Sequence, residues 1–446
     1  MHAQNGDIDY EKIETAGFWV FVVAVLAGIN FVRTTPLLGV IPSFQKLGAS
    51  RIDDWIDRVS HVYTVGLLVI FAVVVSTSQF VGDPIHCWNP AEFTGAYDAY
   101  TKSYCWIKNT YYIPLTESIP VDIQKRQNAE ITYYQWVPLI LIFQAFMFKI
   151  PNIVWKLFNG GSGLNLSKVC KLADETQWGT PDDRKGKIRN IGKFMDRWLQ
   201  THREYHNNIV VRIKAKTSRV LCFVCNKRQG TFLTALYIWI KVLFLANVIS
   251  QFFILNAFMA TNYNMYGFEY IKMFQSGTSM KESPRFPRIT LCDFQIRQLQ
   301  NIQRWTVQCV LPINLFNEKI FVFLWFWFFV VAVLAGINFV RWLYLIVLKR
   351  NNYKYVKKFL LISSKIHTVA DKKLARRFAE EYLRDDGCFV LRMVGINSTD
   401  LVITDLLEEL FSQFKEANEP KPHEYIPTID EEEKLDDTEK TNGPYK

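Results

Sequence analysis

The stretch that decides the fold is Tyr133-Tyr134-Gln135-Trp136-Val137-Pro138, which stands at the threshold of an apolar run, residues 136–158. Tyrosine and tryptophan favour the headgroup layer of a bilayer because their rings are apolar and their tips polar. A proline one step inside a membrane helix removes one backbone hydrogen bond and bends the axis. These six residues therefore predict an aromatic belt followed by a bent membrane helix. Working outward, three further apolar runs occupy 62–81, 232–260 and 320–347. Each reaches the roughly 20 residues needed to cross about 30 Å of hydrocarbon at about 1.5 Å per residue. Half of the 446 residues are apolar and 15% are aromatic, a composition that four membrane spans explain directly.

Charge orients the spans. The net charge of +10 hides an asymmetry along the chain. Residues 158–231 hold 15 Lys and Arg against 6 Asp and Glu, whereas 82–132 hold 4 against 6. The stretch 349–377 is again basic, 10 against 1. The positive-inside rule puts the middle connection and the carboxyl tail in the cytoplasm. Segment 261–319, with 7 basic and 4 acidic residues, fits less well, yet alternation sends it outside. No basic stripe stands apart from the membrane flanks, so nucleic acid is not expected as a partner. Lys149, Lys241 and Arg341 fall toward the cytoplasmic span ends and read as anchors whose stems reach the headgroups.

The eight cysteines divide by compartment. Cys87 and Cys105 lie in the first outer loop and Cys292 and Cys309 in the second, where an oxidising exterior favours bridges. Cys170, Cys222, Cys225 and Cys388 face the reducing interior as thiols. Two pairs in two loops allow three connectivities, and spacing does not choose among them. Cys222 and Cys225 form a Cys-x-x-Cys with no second pair or His cluster beside it, so no metal is expected there. Unligated thiols near the membrane, open to acylation, are the expected state. The sequons at Asn165 and Asn397 face the cytoplasm and should stay unmodified.

As a string, Tyr-Tyr-Gln-Trp-Val-Pro at the start of the second span resembles the signature of the innexins, and the resemblance runs from about residue 41 to about residue 417. It implies an all-α membrane protein: a four-transmembrane-helix subunit with disulfide-stapled extracellular loops carrying some β structure, and a mainly helical cytoplasmic domain. It also implies the pairing Cys87 with Cys309 and Cys105 with Cys292. In innexins a short amino-terminal segment folds back into the channel mouth. The matching piece here is about Ile41 to Val59, which makes Phe44, Asp53, Asp54 and Trp55 candidate pore-lining residues. Rings of eight identical or mixed subunits in the plasma membrane, docked to rings of a neighbouring cell, are implied as well. Such gap-junction channels pass ions and small metabolites. Beyond surrounding lipid and other innexin subunits no partner is expected, and no cofactor or metal.

The amino end departs from that pattern. Residues 18–33 repeat residues 326–341 at fifteen of sixteen positions, only Val20 against Phe328 differing. Near-identity over this length speaks for a recent duplication or a misjoined gene model, not an ancient structural repeat. Three readings stay open for the extension 1–40: no function, a fifth span with its amino end outside, or a segment tucked into the pore.

The expected layout is thus an extension (1–40), a cytoplasmic segment (41–61), a first span (62–81), an outer loop (82–135) and a second span (136–158). A cytoplasmic loop (159–231), third span (232–260), second outer loop (261–319), fourth span (320–347) and cytoplasmic tail (348–446) follow. In the cytoplasmic loop, Ile188, Ile191, Phe194, Met195 and Trp198 mark an amphipathic helix over 185–221. Within the tail, helices are expected over 364–385 and 400–417, with a turn and short strand over Asp385–Arg392. Beyond about residue 419 the acidic, proline-containing composition predicts disorder.

Enzymatic activity is not expected. The seven histidines are scattered, no acidic residue falls inside the four runs, and no nucleophile–base pair or metal cluster is evident. A narrow selective filter is equally unexpected, because the spans carry no repeated selectivity signature. The remaining classes are a large-pore junctional channel, an unpaired hemichannel of pannexin type, and a non-conducting four-span adhesion protein. Neither outer loop carries an Asn-x-Ser/Thr site that would block docking, which favours the first.

Overall fold

The computed structural model describes residues 52–178, 180–201, 230–259, 263, 265–275, 283–348 and 350–418. The amino-terminal copy, Phe44, Cys222, Cys225 and the acidic end lie outside the described residues.

Among the described residues, four helices are long and apolar enough to cross a bilayer: Trp55–Phe80, Val137–Ser162, Phe232–Met259 and Ile313–Val347. Helices are the natural solution here because all their backbone hydrogen bonds close within the segment. The first span packs on the second and fourth, and the third packs on the second and fourth. Helices embedded in lipid gain little from apolar burial, since lipid tails are as apolar as leucine; close van der Waals packing does the work instead. Aromatic rings supply much of it, as in the edge-on contact of Phe71 with Phe323 and the contact of Phe148 with Phe328.

The first span begins seven residues before the apolar run does. Asp54 caps it by accepting from Trp55 N at 2.8 Å, and Val59–Tyr63 forms a π-helical turn before regular helix resumes at Thr64. Hydropathy alone misses this start because the added turns carry Asp57, Arg58 and His61.

Pro138 does not bend the second span. It sits in the helix's first turn, where the missing N–H would have no intrahelical acceptor anyway. Pro151 is the interior proline of this helix.

Apolar packing is divided between two clusters. The outer one joins the extracellular halves of the spans to the loops through Leu68, Phe71, Tyr134, Leu141, Phe286, Phe294 and Phe321. The inner one joins the cytoplasmic span ends to the tail through Trp155, Tyr237, Trp342, Phe389, Leu407 and Phe411. Among the described residues the cytoplasmic part comprises helices Leu166–Glu175, Pro181–Thr201, Arg350–Ile362, Val369–Arg377, Arg384–Asn397 and Asp400–Asn418.

The expected turn and strand over Asp385–Arg392 are instead the first half of helix Arg384–Asn397. Its run Gly387-Cys388-Phe389-Val390-Leu391 is buried throughout, so it lacks the polar face by which an amphipathic helix is recognised. Of the amphipathic helix expected over 185–221, the described part is helix Pro181–Thr201, which buries Ile188, Ile191 and Met195 against the tail helix Asp400–Asn418; residues 202–221 lie outside the described residues. Phe194 stays half exposed, because it falls on the helix's other side.

Candidate channel-forming site

On the extracellular side both loops build one five-stranded antiparallel sheet in the order β1-β5-β4-β2-β3. The first loop gives β1 (His86–Trp88), β2 (Thr110–Tyr111) and β3 (Glu130–Ile131). The second gives the hairpin β4 (Ile289–Gln298) and β5 (Asn301–Val310). In register, Cys87 faces Cys309, and the two are bonded. Cys105 comes from the helix Gly95–Lys108 and is bonded to Cys292 on β4. Both bridges therefore run between the loops, closing separations of 222 and 187 residues.

The sulfurs of Cys87, Cys105 and Cys309 lie within 4.8 Å of one another. Bonded sulfurs offer no thiolate, so this grouping is a packed bridge pair and not a ligand set. Among the described residues Cys170 and Cys388 are free and buried. Burial pushes both thiols up to about 12, which leaves them protonated and unreactive at neutral pH.

A polar clamp reinforces the bridges. Asp293 on β4 accepts from Arg126 Nη1 at 2.8 Å, Tyr111 Oη at 2.9 Å and Thr306 Oγ1 at 2.7 Å. Burial would raise this carboxyl, but those three donors outweigh it and hold Asp293 below the ordinary carboxylate value.

The six-residue signature is the hinge pin of this platform. Tyr133 donates its hydroxyl to the Arg285 carbonyl at 2.6 Å, reaching the second loop. Tyr134 is fully buried, its ring 4.9 Å from that of Trp106, and its carbonyl accepts from Gln79 at the end of the first span. Gln135 donates to the Trp106 carbonyl and to Asn109. Of the aromatic residues only Trp136 is exposed, at 57%, as a headgroup-belt residue would be. Tyr133 and Tyr134 fail the belt expectation because the protein takes up their side chains: the Tyr133 hydroxyl binds the second loop and the Tyr134 ring packs against Trp106.

At the cytoplasmic end the chain collects charge that sequence reading leaves scattered. Lys241 of the third span places its ammonium 2.7 Å from both Asp57 oxygens and 3.8 Å from Asp54. Tyr237 donates to Asp57 at 3.2 Å, and Trp342 of the fourth span donates to Asp54 at 3.0 Å. Asp53 lies 2.9 Å from His61 Nε2 and accepts from Asn152 of the second span at 3.0 Å. All four spans thus meet at one polar knot. Arg58 extends it by donating to Asn397 of the tail at 2.7 Å.

Lys241 is 2% exposed and so does not reach for headgroups as expected; the aspartates of the first span neutralise it inside the bundle. Lys149 likewise turns inward, its ammonium 3.4 Å from His61, while Arg341 remains exposed. Asp53 and Asp54 are buried within the protomer, whereas Trp55 is 58% exposed. Sequence reasoning missed the knot because Asp57 and Lys241 are 184 positions apart. The available signal was a lone lysine within one span and a triplet of acids leading another at the same depth.

Four apolar helices, two loops stapled into one outer sheet and a buried polar knot at the inner ends define a four-span membrane protein of the channel-subunit type. The innexin family profile matches residues 53–414. Innexin unc-9 of Caenorhabditis elegans is 36% identical over 373 residues, covering 83% of this chain and 95% of that protein. Innexin-3 of the same organism is 37% identical over 365 residues, with 82% and 84% covered. Innexin-10 is 33% identical over 404 residues, with 89% and 71% covered. The chain belongs to the innexin family, whose members form gap-junction channels.

Proposed function

We propose that this chain is the structural subunit of a large-pore channel in the plasma membrane, assembled as a ring of eight identical or mixed innexin subunits. Two such rings dock through their outer sheets and pass ions and small metabolites between adjacent cells by diffusion. One four-helix protomer cannot enclose a wide passage, so conduction requires a closed ring of copies. The observation that supports this reading best is the outer sheet itself. Two bridges and the Asp293 clamp fix both loops as one platform, and a rigid surface loses little entropy when it meets a second ring.

Within the ring, the start of the first span and the residues just before it line the inner mouth, with Trp55 turned toward the passage. Asp53 and Asp54 support that position from behind, through His61, Asn152 and Trp342. Phe44 precedes the described residues and belongs to the same lining segment. No catalytic step enters this mechanism.

Dual-electrode recording from paired cells expressing the protein tests it. Junctional current together with transfer of a small fluorescent anion is expected. Current in single cells without any in pairs would favour an unpaired hemichannel. Assembled surface protein carrying neither would leave only the adhesion reading.

A further inference from the structure

One tail helix, Arg384–Asn397, reaches all four spans at their inner ends. In its first turn Asp386 caps the third span, whose leading N–H groups have no intrahelical acceptor. One Asp386 oxygen accepts from Thr234 N at 3.0 Å and Thr234 Oγ1 at 2.7 Å, the other from Phe232 N at 2.9 Å. Further along, the Phe389 ring lies 6.4 Å from Trp155 of the second span, 5.0 Å from Tyr237 of the third and 5.8 Å from Trp342 of the fourth. At the far end Asn397 Oδ1 accepts from Arg58 Nη2 of the first span at 2.7 Å. Asn397 Nδ2 donates to the Met393 carbonyl at 2.9 Å, which fixes the amide and leaves its oxygen for Arg58.

The first span has particular need of that tie. Trp55–Arg58 is a single α-helical turn, joined to the rest of the span by the π-helical turn Val59–Tyr63. A π turn interrupts the regular i→i−4 ladder and often marks a functional place in a helix. The leading turn is therefore held largely by side chains. Asp53 and Asp54 tie it to the second and fourth spans. Arg58 ties it to the tail, and the same Nη2 donates to the Asp53 carbonyl at 3.2 Å. One guanidinium nitrogen thus joins the tail, the turn and the residues before it. The cation also faces the carboxyl end of helix Arg384–Asn397, where the helix dipole favours positive charge.

We propose that helix Arg384–Asn397 is a crossbar that sets the inner mouth, and that Asn397 is the positioning residue through which it acts. By holding Arg58, Asn397 fixes the turn that presents Trp55. The proposal rests on the reading above, in which Trp55 faces the passage. Displacing the crossbar frees the mouth turn and leaves the outer sheet untouched.

Hydrogen–deuterium exchange on the full-length assembly in lipid nanodiscs reads the turn directly. The Arg58 amide donates to the Asp54 carbonyl, and the Val59 amide to the Trp55 and Ile56 carbonyls. Loss of a hydrogen bond to a charged group should lower protection of these two amides about tenfold in Asn397→Ala, while β4 and β5 keep theirs. Asn397→Asp keeps an acceptor for Arg58 and should restore protection. Arg58→Met removes the same bond from the other side and decides the matter if Asn397→Ala fails to assemble. Combined with Asn397→Ala, it should lower protection by no more than about a further twofold. Single-channel conductance should shift in Asn397→Ala and return in Asn397→Asp.

Unchanged protection, a fall shared by the outer sheet, no recovery in Asn397→Asp or additive losses in the double variant would each overturn the proposal. So would faster exchange with unaltered conductance. A parent that carries no current would instead fail the channel reading, and the exchange result would still decide whether Asn397 holds the turn.

Discussion

The outer platform and the inner knot face the same problem and solve it with different chemistry. Each must tie segments far apart in sequence to the ends of the spans. Outside, separations of 222 and 187 residues are closed by covalent bridges. Inside, separations of 184 and 152 residues are closed by the Lys241–Asp57 ion pair and the Asp386 cap. Disulfides persist only where the medium is oxidising, so a cytoplasmic surface must use charge and hydrogen bonds instead. The consequence is a difference in kind: the outer ties are covalent, while the inner ones rest on charge and hydrogen bonds.

Removing one charge from the inner knot should give the largest effect. Lys241→Met leaves Asp57 buried beside Asp53 and Asp54, and breaking a buried pair this way costs about 3–5 kcal/mol. Adding Asp57→Asn should recover much of the loss, and thermal unfolding in detergent measures both. Recovery absent from the double variant would mean the pair matters for something other than charge balance.

The outer platform is probed next by Cys105→Ser with Cys292→Ser. Losing a bridge of this kind costs about 2–5 kcal/mol. Junctional current should fall at least tenfold while the four spans still insert, as surface biotinylation would report. Unchanged current would separate docking from the staples.

A close approach gives an intermediate effect. A Cβ at Gly267 would lie 2.0 Å from the Trp325 ring of the fourth span. Gly267→Ala should therefore destabilise by about 1–3 kcal/mol through overpacking, whereas alanine at Gly336, where nothing stands within 4 Å, should not.

Acid should loosen the outer clamp before it touches the bridges. Asp293 is held below its ordinary value, so its contribution is present at neutral pH and is lost as pH falls through that depressed value. Asp293→Asn should cost about 1.5–2 kcal/mol at neutral pH, at the low end of the usual range for hydrogen bonds to a charged group. The difference from the parent should shrink in strong acid, which thermal scans from pH 7 to 3 would reveal. Smallest in stability is Trp55→Ala, expected to change unfolding by under about 0.5 kcal/mol because the ring is exposed. Single-channel conductance should nonetheless change if the ring faces the passage.

The two ends of the molecule were unequally legible in the sequence. Hydropathy, the charge of the loops and the signature string carried the spans, their orientation and the family, because lipid demands long apolar runs. Cysteine pairing was open by spacing and followed only from the resemblance. The inner end resisted reading for a physical reason. Its key residues are charged, and charges in or beside spans look like surface anchors until their partners from other spans are known. Asp57 fell into the lead-in segment because the first span's start was placed at residue 62, and helix Arg384–Asn397 was hidden because its stretch Gly387–Leu391 is buried without a polar face. Tyr133 and Tyr134 carried the right identity for the wrong reason: their side chains pack within the protein, not among headgroups.

The most direct test of the whole scheme is sidedness. Cysteine introduced for Val121 in the first loop and for Leu299 at the β4–β5 turn, 93% and 98% exposed, should react with a membrane-impermeant maleimide on intact cells. Cysteine introduced for Lys365 in the tail should react only after permeabilisation. Labelling of the two loop positions from opposite faces would contradict the shared sheet, and with it the stapled ring-forming subunit derived from it.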